Sequence, residues 1–179
     1  MTRSFAALLL IAASLVVIAC GKQSSSAIRS DAQELARLRR ENPEANRLLA
    51  ATPADFERRI RSAGRPVVVN QWASWCGPCR YEFPFFQRLA QRYRGRVAFL
   101  GVDAKDNASD ARRFLAEFPT PYAHLQDPRA TVSRLFHGGR SWPTTAYYRA
   151  GGKLVYTHQG AYRSEADLDA DIRRYALGT

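Results

Sequence analysis

The stretch Val67-Val68-Val69-Asn70-Gln71-Trp72-Ala73-Ser74-Trp75-Cys76-Gly77-Pro78-Cys79-Arg80-Tyr81-Glu82-Phe83-Pro84 decides the fold. Its opening is a β-branched run after Arg65-Pro66, the pattern of a strand buried on both faces. Beyond Cys79 the apolar residues change period: Phe83, Phe86, Leu89 and Ala90 share one face of a helix reaching about Tyr93, with Pro84 inside it. The Cys-x-x-Cys element therefore lies where a strand hands over to a helix. That setting matters more than the spacing. Thiolate is the reactive form of cysteine, and the free amides and dipole of a helix N-terminus favour negative charge there. Cys76 reads as the exposed, low-pKa nucleophile and Cys79, one turn on, as the more buried resolving thiol. The spacing sets both sulfurs on one side of the first turn, close enough to bond, and Pro78 stiffens that turn.

Outward from this centre, strands and helices alternate. Thr52 is placed to cap a helix with Pro53 in its first turn, Phe56 and Ile60 facing inward and Gly64 at its end. Residues 96–103 read as a second central strand, 110–118 as a helix, 122–126 as a short strand and 128–136 as another helix. Thr144 to Arg149 and Leu154 to His158 form a hairpin turning at 150–153, and Ser164 opens a final helix to Tyr175. The order points to an α/β layered domain over residues 52–179. Residues 31–51 read as a helical extension, two short helices broken near Pro43.

With these residues in view, the stretch from Val67 to Pro84 resembles the thioredoxin superfamily, and in particular the TlpA/ResA-like exported thiol–disulfide oxidoreductases. The likeness continues more weakly from Thr52 to Tyr175, with Gly101-Val102-Asp103 on the second strand and the αβ unit at 107–126 in the place of the TlpA-type insertion. It implies a thioredoxin-like three-layer fold, a central mixed β-sheet flanked by helices. It implies a redox-active Cys76–Cys79 disulfide in place of any cofactor. It assigns Glu82 an acid–base role beside the dithiol, because Asn70 stands where thioredoxins bury an aspartate. It makes Trp75, Gly77, Pro78 and Asn70 the active-site support. Trp142-Pro143-Thr144 occupies the cis-proline site, facing Cys76, where a substrate strand would pair. Two departures stand out: Trp142 is a large aromatic before that proline, and Gln71 replaces a common aromatic. The implied partners are thiols and disulfides of exported proteins, and a membrane electron donor or acceptor.

The N-terminus reads as an address. Arg3 precedes an apolar run from Phe5 to Ala19, short for a membrane span and suited to a signal peptide. The run closes Val17-Ile18-Ala19-Cys20, which resembles a bacterial lipobox. By that resemblance residues 1–19 are removed, Cys20 is acylated, and the Ser-rich residues 20–30 tether the domain to the extracytoplasmic face of the membrane. Cys20 is the odd one of three cysteines.

The formal net charge is +11, from 27 Lys and Arg against 16 Asp and Glu. The arginines are dispersed at helical spacing among acids and apolar residues, which describes solvated helix faces. No nucleic-acid motif accompanies them. Four other readings of the dithiol stay in view: a disulfide-forming oxidant or isomerase, a metal-binding module, a peroxiredoxin-like peroxidase and an inert structural disulfide. A closed zinc site needs four ligands, and His124, His137 and His158 read as surface or loop histidines without ligand spacing.

Overall fold

The computed structural model describes residues 32–179. Residues 1–31, with the leader, Cys20 and the tether, lie outside them. Helix α1 covers residues 32–41, followed by β1 (Leu48–Ala50), α2 (Pro53–Ser62), β2 (Val67–Trp72), α3 (Gly77–Arg92), β3 (Ala98–Ala104), α4 (Ala108–Glu117), β4 (His124–Asp127), β5 (Thr144–Tyr148), β6 (Leu154–Gln159) and α5 (Glu165–Asp171). A 3₁₀ turn (Ser133–Phe136) precedes β5 and a π-helical turn (Ile172–Leu177) follows α5.

The strands form one mixed sheet in the order β1-β4-β3-β2-β5-β6. β1, β4, β3 and β2 run parallel, and β5 and β6 are antiparallel to their neighbours. The α4–β4 unit places its strand between β1 and β3. All six residues of β2 are buried, as the β-branched run requires. On one face Val67 and Val69 meet Phe56 and Ile60 of α2. On the other, Val68 meets Phe86 and Leu89 of α3 together with Leu168 and Ile172 from the C-terminal turns. Each such side chain contributes about 1.5–3 kcal/mol of burial, so α3 is fixed to the sheet along its whole apolar face. It runs through Pro84 without a break.

Local chemistry sets the boundaries. Thr52 and Asp55 form a capping box at α2. Asn107 and Ser164 cap α4 and α5 by accepting from Asp110 N and Asp167 N. In two places the structure departs from the sequence pattern. The second short helix expected before residue 51 is strand β1. Asn46 turns the chain in the left-handed region (φ 56°), its side chain accepts from Thr120 N and donates to the Leu115 carbonyl, and Leu48–Ala50 is drawn into register with β4. Sheet pairing overrides the helical preference of the two leucines. The helix expected over 128–136 shrinks to the 3₁₀ turn because buried Asp127 accepts from the backbone amides of Thr131, Val132 and Ser133, holding the segment as a loop. Among the described residues no helix is long and apolar enough to cross a membrane.

Candidate active site

Cys76 is the N-cap residue of α3, with extended backbone (φ −87°, ψ 103°). It is joined to Cys79 by a disulfide, Cα to Cα 5.3 Å. The Cys76 Sγ accepts from the Cys79 backbone N–H at 3.1 Å, so the first-turn amide that would steady a thiolate already points at the sulfur. Cys76 is 4% exposed and Cys79 fully buried. The expected order of accessibility holds, but Cys76 is a buried residue and not the exposed one the helix-start position suggested. Both sulfurs sit in a cluster with Trp72, Ala73 and Phe83, and Trp142 packs against that cluster.

The loop before Cys76 is held from two sides. Ser74 N–H donates to the Asp106 carboxylate, and Trp75 Nε1–H donates to the Lys105 carbonyl at 3.0 Å. Lys105 adopts a left-handed backbone (φ 56°), a sparsely populated conformation for a non-glycine residue. Asp103, on β3 opposite Trp72, is buried, and neither carboxylate oxygen has a hydrogen-bond partner among the described residues. Burial, reinforced by the charge of Asp106, pushes its pKa up to about 8.

Glu82 lies three residues after Cys79 and so on the same inward face of α3. It is completely buried. Oε1 accepts from Asn70 Nδ2 at 2.9 Å and Oε2 from the Tyr162 backbone N–H at 3.0 Å. Burial raises its pKa to about 8, against the lowering pull of those two hydrogen bonds. The carboxyl is therefore largely protonated at neutral pH and within one unit of losing its proton. A solvent-facing Glu82 is ruled out by this placement.

The peptide between Trp142 and Pro143 is cis. The Trp142 ring lies 5.3 Å from that of Trp75, which brings the loop before β5 against the Cys-x-x-Cys turn. Thr144 is buried, and its hydroxyl bonds the Ser141 carbonyl and the Gln159 side chain, tying down the loop. Gln71 does the same from β2: Nε2–H donates to the Ser141 carbonyl at 2.7 Å and Oε1 accepts from Gly139 N at 2.5 Å. A Cβ on Gly138 would fall 2.2 Å from that oxygen. The sequence marks Gln71 only as a departure from an aromatic; its role follows from a polar side chain at a wholly buried strand position, which must find partners.

His124 corrects the surface reading given to it. It is fully buried on β4, its Nδ1 accepting from Trp72 Nε1–H at 3.0 Å and its Nε2 2.7 Å from Thr120 Oγ1. Burial lowers its pKa to about 3. Gly101 makes room for the ring, since a Cβ there would lie 1.9 Å from Nδ1. His137 is exposed and His158 partly buried on β6.

Comparison with known proteins agrees with this geometry. Residues 47–127 match the Thioredoxin family. The chain is 37% identical over 94 residues to a thiol:disulfide interchange protein DsbE homolog of Paracoccus denitrificans, covering 52% of this chain and 50% of that one. It is 31% identical over 114 residues to the thioredoxin-like protein slr1139 of Synechocystis, covering 64% of this chain and 83% of that one. The chain thus spans about half the length of the first of these relatives. Among solved structures, a putative thiol:disulfide interchange protein DsbE from Chlorobium tepidum superposes with a TM-score of 0.56 at 29% identity, over 66% of this chain and 81% of that one. The chain belongs to the thioredoxin superfamily, is similar to its DsbE-type thiol:disulfide interchange proteins, and carries the Cys76–Cys79 disulfide of its Cys-x-x-Cys element at the start of α3.

Proposed function

We propose that this protein is an exported, membrane-tethered thiol–disulfide oxidoreductase that reduces disulfides in extracytoplasmic proteins, in the setting of cytochrome c maturation. The observation that carries the reading is the Cys76–Cys79 disulfide capping α3 with an amide already aimed at Cys76 Sγ. The apolar run from Phe5 to Ala19 followed by Cys20 supports export and a lipid anchor on that cysteine. The identity to a DsbE homolog supports the interchange activity.

In the reducing direction the Cys76 thiolate attacks one sulfur of a client disulfide. A mixed disulfide forms and the other client sulfur leaves as a thiolate. The Cys79 thiolate then attacks Cys76 Sγ, the client is released as a dithiol, and the Cys76–Cys79 disulfide is formed. Two electrons pass to the client. A membrane electron donor returns two electrons to the disulfide for the next cycle. Glu82 exchanges a proton with Cys79 in this reading: both are buried on one face of α3, and burial raises the Glu82 pKa to about 8. Asn70 and the Tyr162 amide hold it. The Trp142-Pro143 loop, braced by Thr144, offers its backbone to an extended client strand.

The test is a Cys79→Ser variant expressed in its own host. It should accumulate mixed disulfides through Cys76 with exported proteins, released by dithiothreitol, and a Cys20→Ala variant should leave the membrane fraction. Absence of reducible adducts sinks the client-reduction reading. A Cys20→Ala variant that stays on the membrane sinks the lipid anchor.

A further inference from the structure

Three cations stand around the disulfide with no acidic partner among the described residues. Lys105 follows β3, Arg140 precedes the cis peptide, and Arg163 follows β6. The β2–β3 pairing is parallel, β5 is antiparallel to β2 and β6 to β5, so all three loops open at the end of the sheet where β2 delivers Cys76. The three residues are exposed, and none takes part in an ion pair among the described residues. Their places at the mouth are fixed by contacts. The Lys105 ammonium lies 5.4 Å from the Trp142 ring centre. Arg140 adjoins Ser141, whose carbonyl is gripped by Gln71. The Arg163 carbonyl accepts from the hydroxyl of Tyr81, two residues beyond Cys79.

The nearby acids at the surface are already engaged, and Asp103, which has no partner, is completely buried. Asp106 is turned to the amides of Ser74 and Asn107, Glu117 pairs with Arg80, and Glu165 with Arg88 and Arg92. Inside this positive rim lies an apolar centre, Trp75 at 58% exposure with its ring on that of Trp142. An aromatic centre with a charged rim is interface anatomy, and a one-signed rim raises the encounter rate of the opposite charge.

We propose that this mouth selects clients whose cysteine lies in an acidic extended segment: carboxylates on either side of the reacting sulfur meet Lys105, Arg140 and Arg163 while a neighbouring side chain rests on Trp75 and Trp142. The proposal rests on the exchange reading above and names its substrate class.

The test uses the reduced protein and three short peptides. Each has a central cysteine held as a mixed disulfide with thionitrobenzoate, flanked by glutamates, serines or lysines. Second-order rates are read from released thionitrobenzoate. At low ionic strength the glutamate peptide should react about tenfold faster than the lysine peptide, with serine between, and the ratio should fall below about twofold in 0.5 M salt. The triple variant Lys105→Glu, Arg140→Glu, Arg163→Glu should reverse the order of the glutamate and lysine peptides. A remote triple of equal charge, Arg65→Glu, Arg96→Glu, Arg149→Glu, at the opposite end of the sheet, should leave the wild-type order in place. Equal rates for the glutamate and lysine peptides overturn the proposal while leaving exchange intact. So does a remote triple that reverses the order as fully as the rim triple, since the cause is then overall charge. If no peptide reacts, the exchange reading falls and the substrate class falls with it.

Discussion

Glu82 and His124 make an instructive pair. Each is a titratable side chain buried completely under the same face of the sheet, and each meets two hydrogen-bonding partners, yet the two sites serve opposite ends. Glu82 receives two N–H donors, from Asn70 and Tyr162. Those donors favour the ionised form while burial favours the neutral one, and the balance falls near pH 8. His124 has Nδ1 filled by a donor, the Trp72 indole. Thr120 gives its hydroxyl proton to the Tyr122 carbonyl, which leaves its oxygen to accept from His124 Nε2–H. A second ring proton would face Trp72 Nε1–H, donor against donor. Burial and partners therefore agree on the neutral ring, and its pKa drops to about 3. On the proposed mechanism the first moves a proton; the second holds Trp72 still beneath the Cys-x-x-Cys loop.

The pair should tilt the stability curve in opposite directions, and Glu82 gives the larger tilt. Its folded pKa lies above the unfolded value of about 4.5. Its stabilisation is therefore complete below pH 4.5 and is lost as pH rises toward 8. At about 1.4 kcal/mol per pH unit, the loss between pH 5 and pH 8 is about 4 kcal/mol. Glu82→Gln removes that fall, since Asn70 can rotate its unpartnered oxygen toward the new amide. Urea unfolding of the oxidised protein at pH 5, 6.5 and 8 measures it. Asp103, also raised to about 8, adds a slope of the same sign, so Glu82→Gln flattens the curve in part and adding Asp103→Asn flattens it further. A Glu82→Gln curve parallel to wild type means that Glu82 is not held protonated. The same variant should slow the step in which Cys79 resolves the mixed disulfide and remove that step's pH dependence near 8.

His124 predicts the reverse slope. Its folded pKa is depressed, so its stabilisation is present above pH 6.5 and lost as pH falls toward 3. His124→Leu strips the Trp72 indole of its acceptor and the Thr120 oxygen of its donor, at about 3 kcal/mol at pH 8. By pH 5 the wild type has itself lost about 2 kcal/mol through this group, so the cost of the variant should shrink to about 1. A cost that grows on acidification would show that the ring carries a proton in the folded state. Gly101→Ala, which drives a methyl into Nδ1, should reproduce the destabilisation without removing the histidine.

Legibility in the sequence follows the same division. Local rules expose what local rules control: the buried run of β2, the Cys-x-x-Cys at a helix start and the N-cap at Thr52; the cis-proline site at 143 comes from the family resemblance. The family resemblance puts Glu82 beside the dithiol, and the spacing of residues 79 and 82 on one helix face agrees with it. What remained hidden depends on contacts between distant segments. Leu48 to Ala50 look helical until β4 offers a parallel edge. His124 looks like a surface residue until Trp72 and Thr120, 52 and 4 residues away, close on it. Asp127 gives no local hint that it will gather three amides and stop a helix.

Gln71 stands between these cases and yields the smallest effect. It shares β2 with Asn70, but its side chain turns to the other face and clamps the loop that ends in Trp142-Pro143. Gln71→Ala leaves the Ser141 carbonyl its bond from the Thr144 hydroxyl and strips only the buried Gly139 amide of its acceptor, so the stability cost should be only about 1–2 kcal/mol. Its effect on exchange should be of a different kind from that of Glu82→Gln. A looser loop lowers the rate of mixed-disulfide formation with a peptide client by about the same factor at every pH, whereas loss of Glu82 changes the pH profile of resolution. If Gln71→Ala instead alters that profile and leaves mixed-disulfide formation untouched, the two faces of β2 are coupled through the strand, and the separation between proton handling on one face and client positioning on the other does not hold.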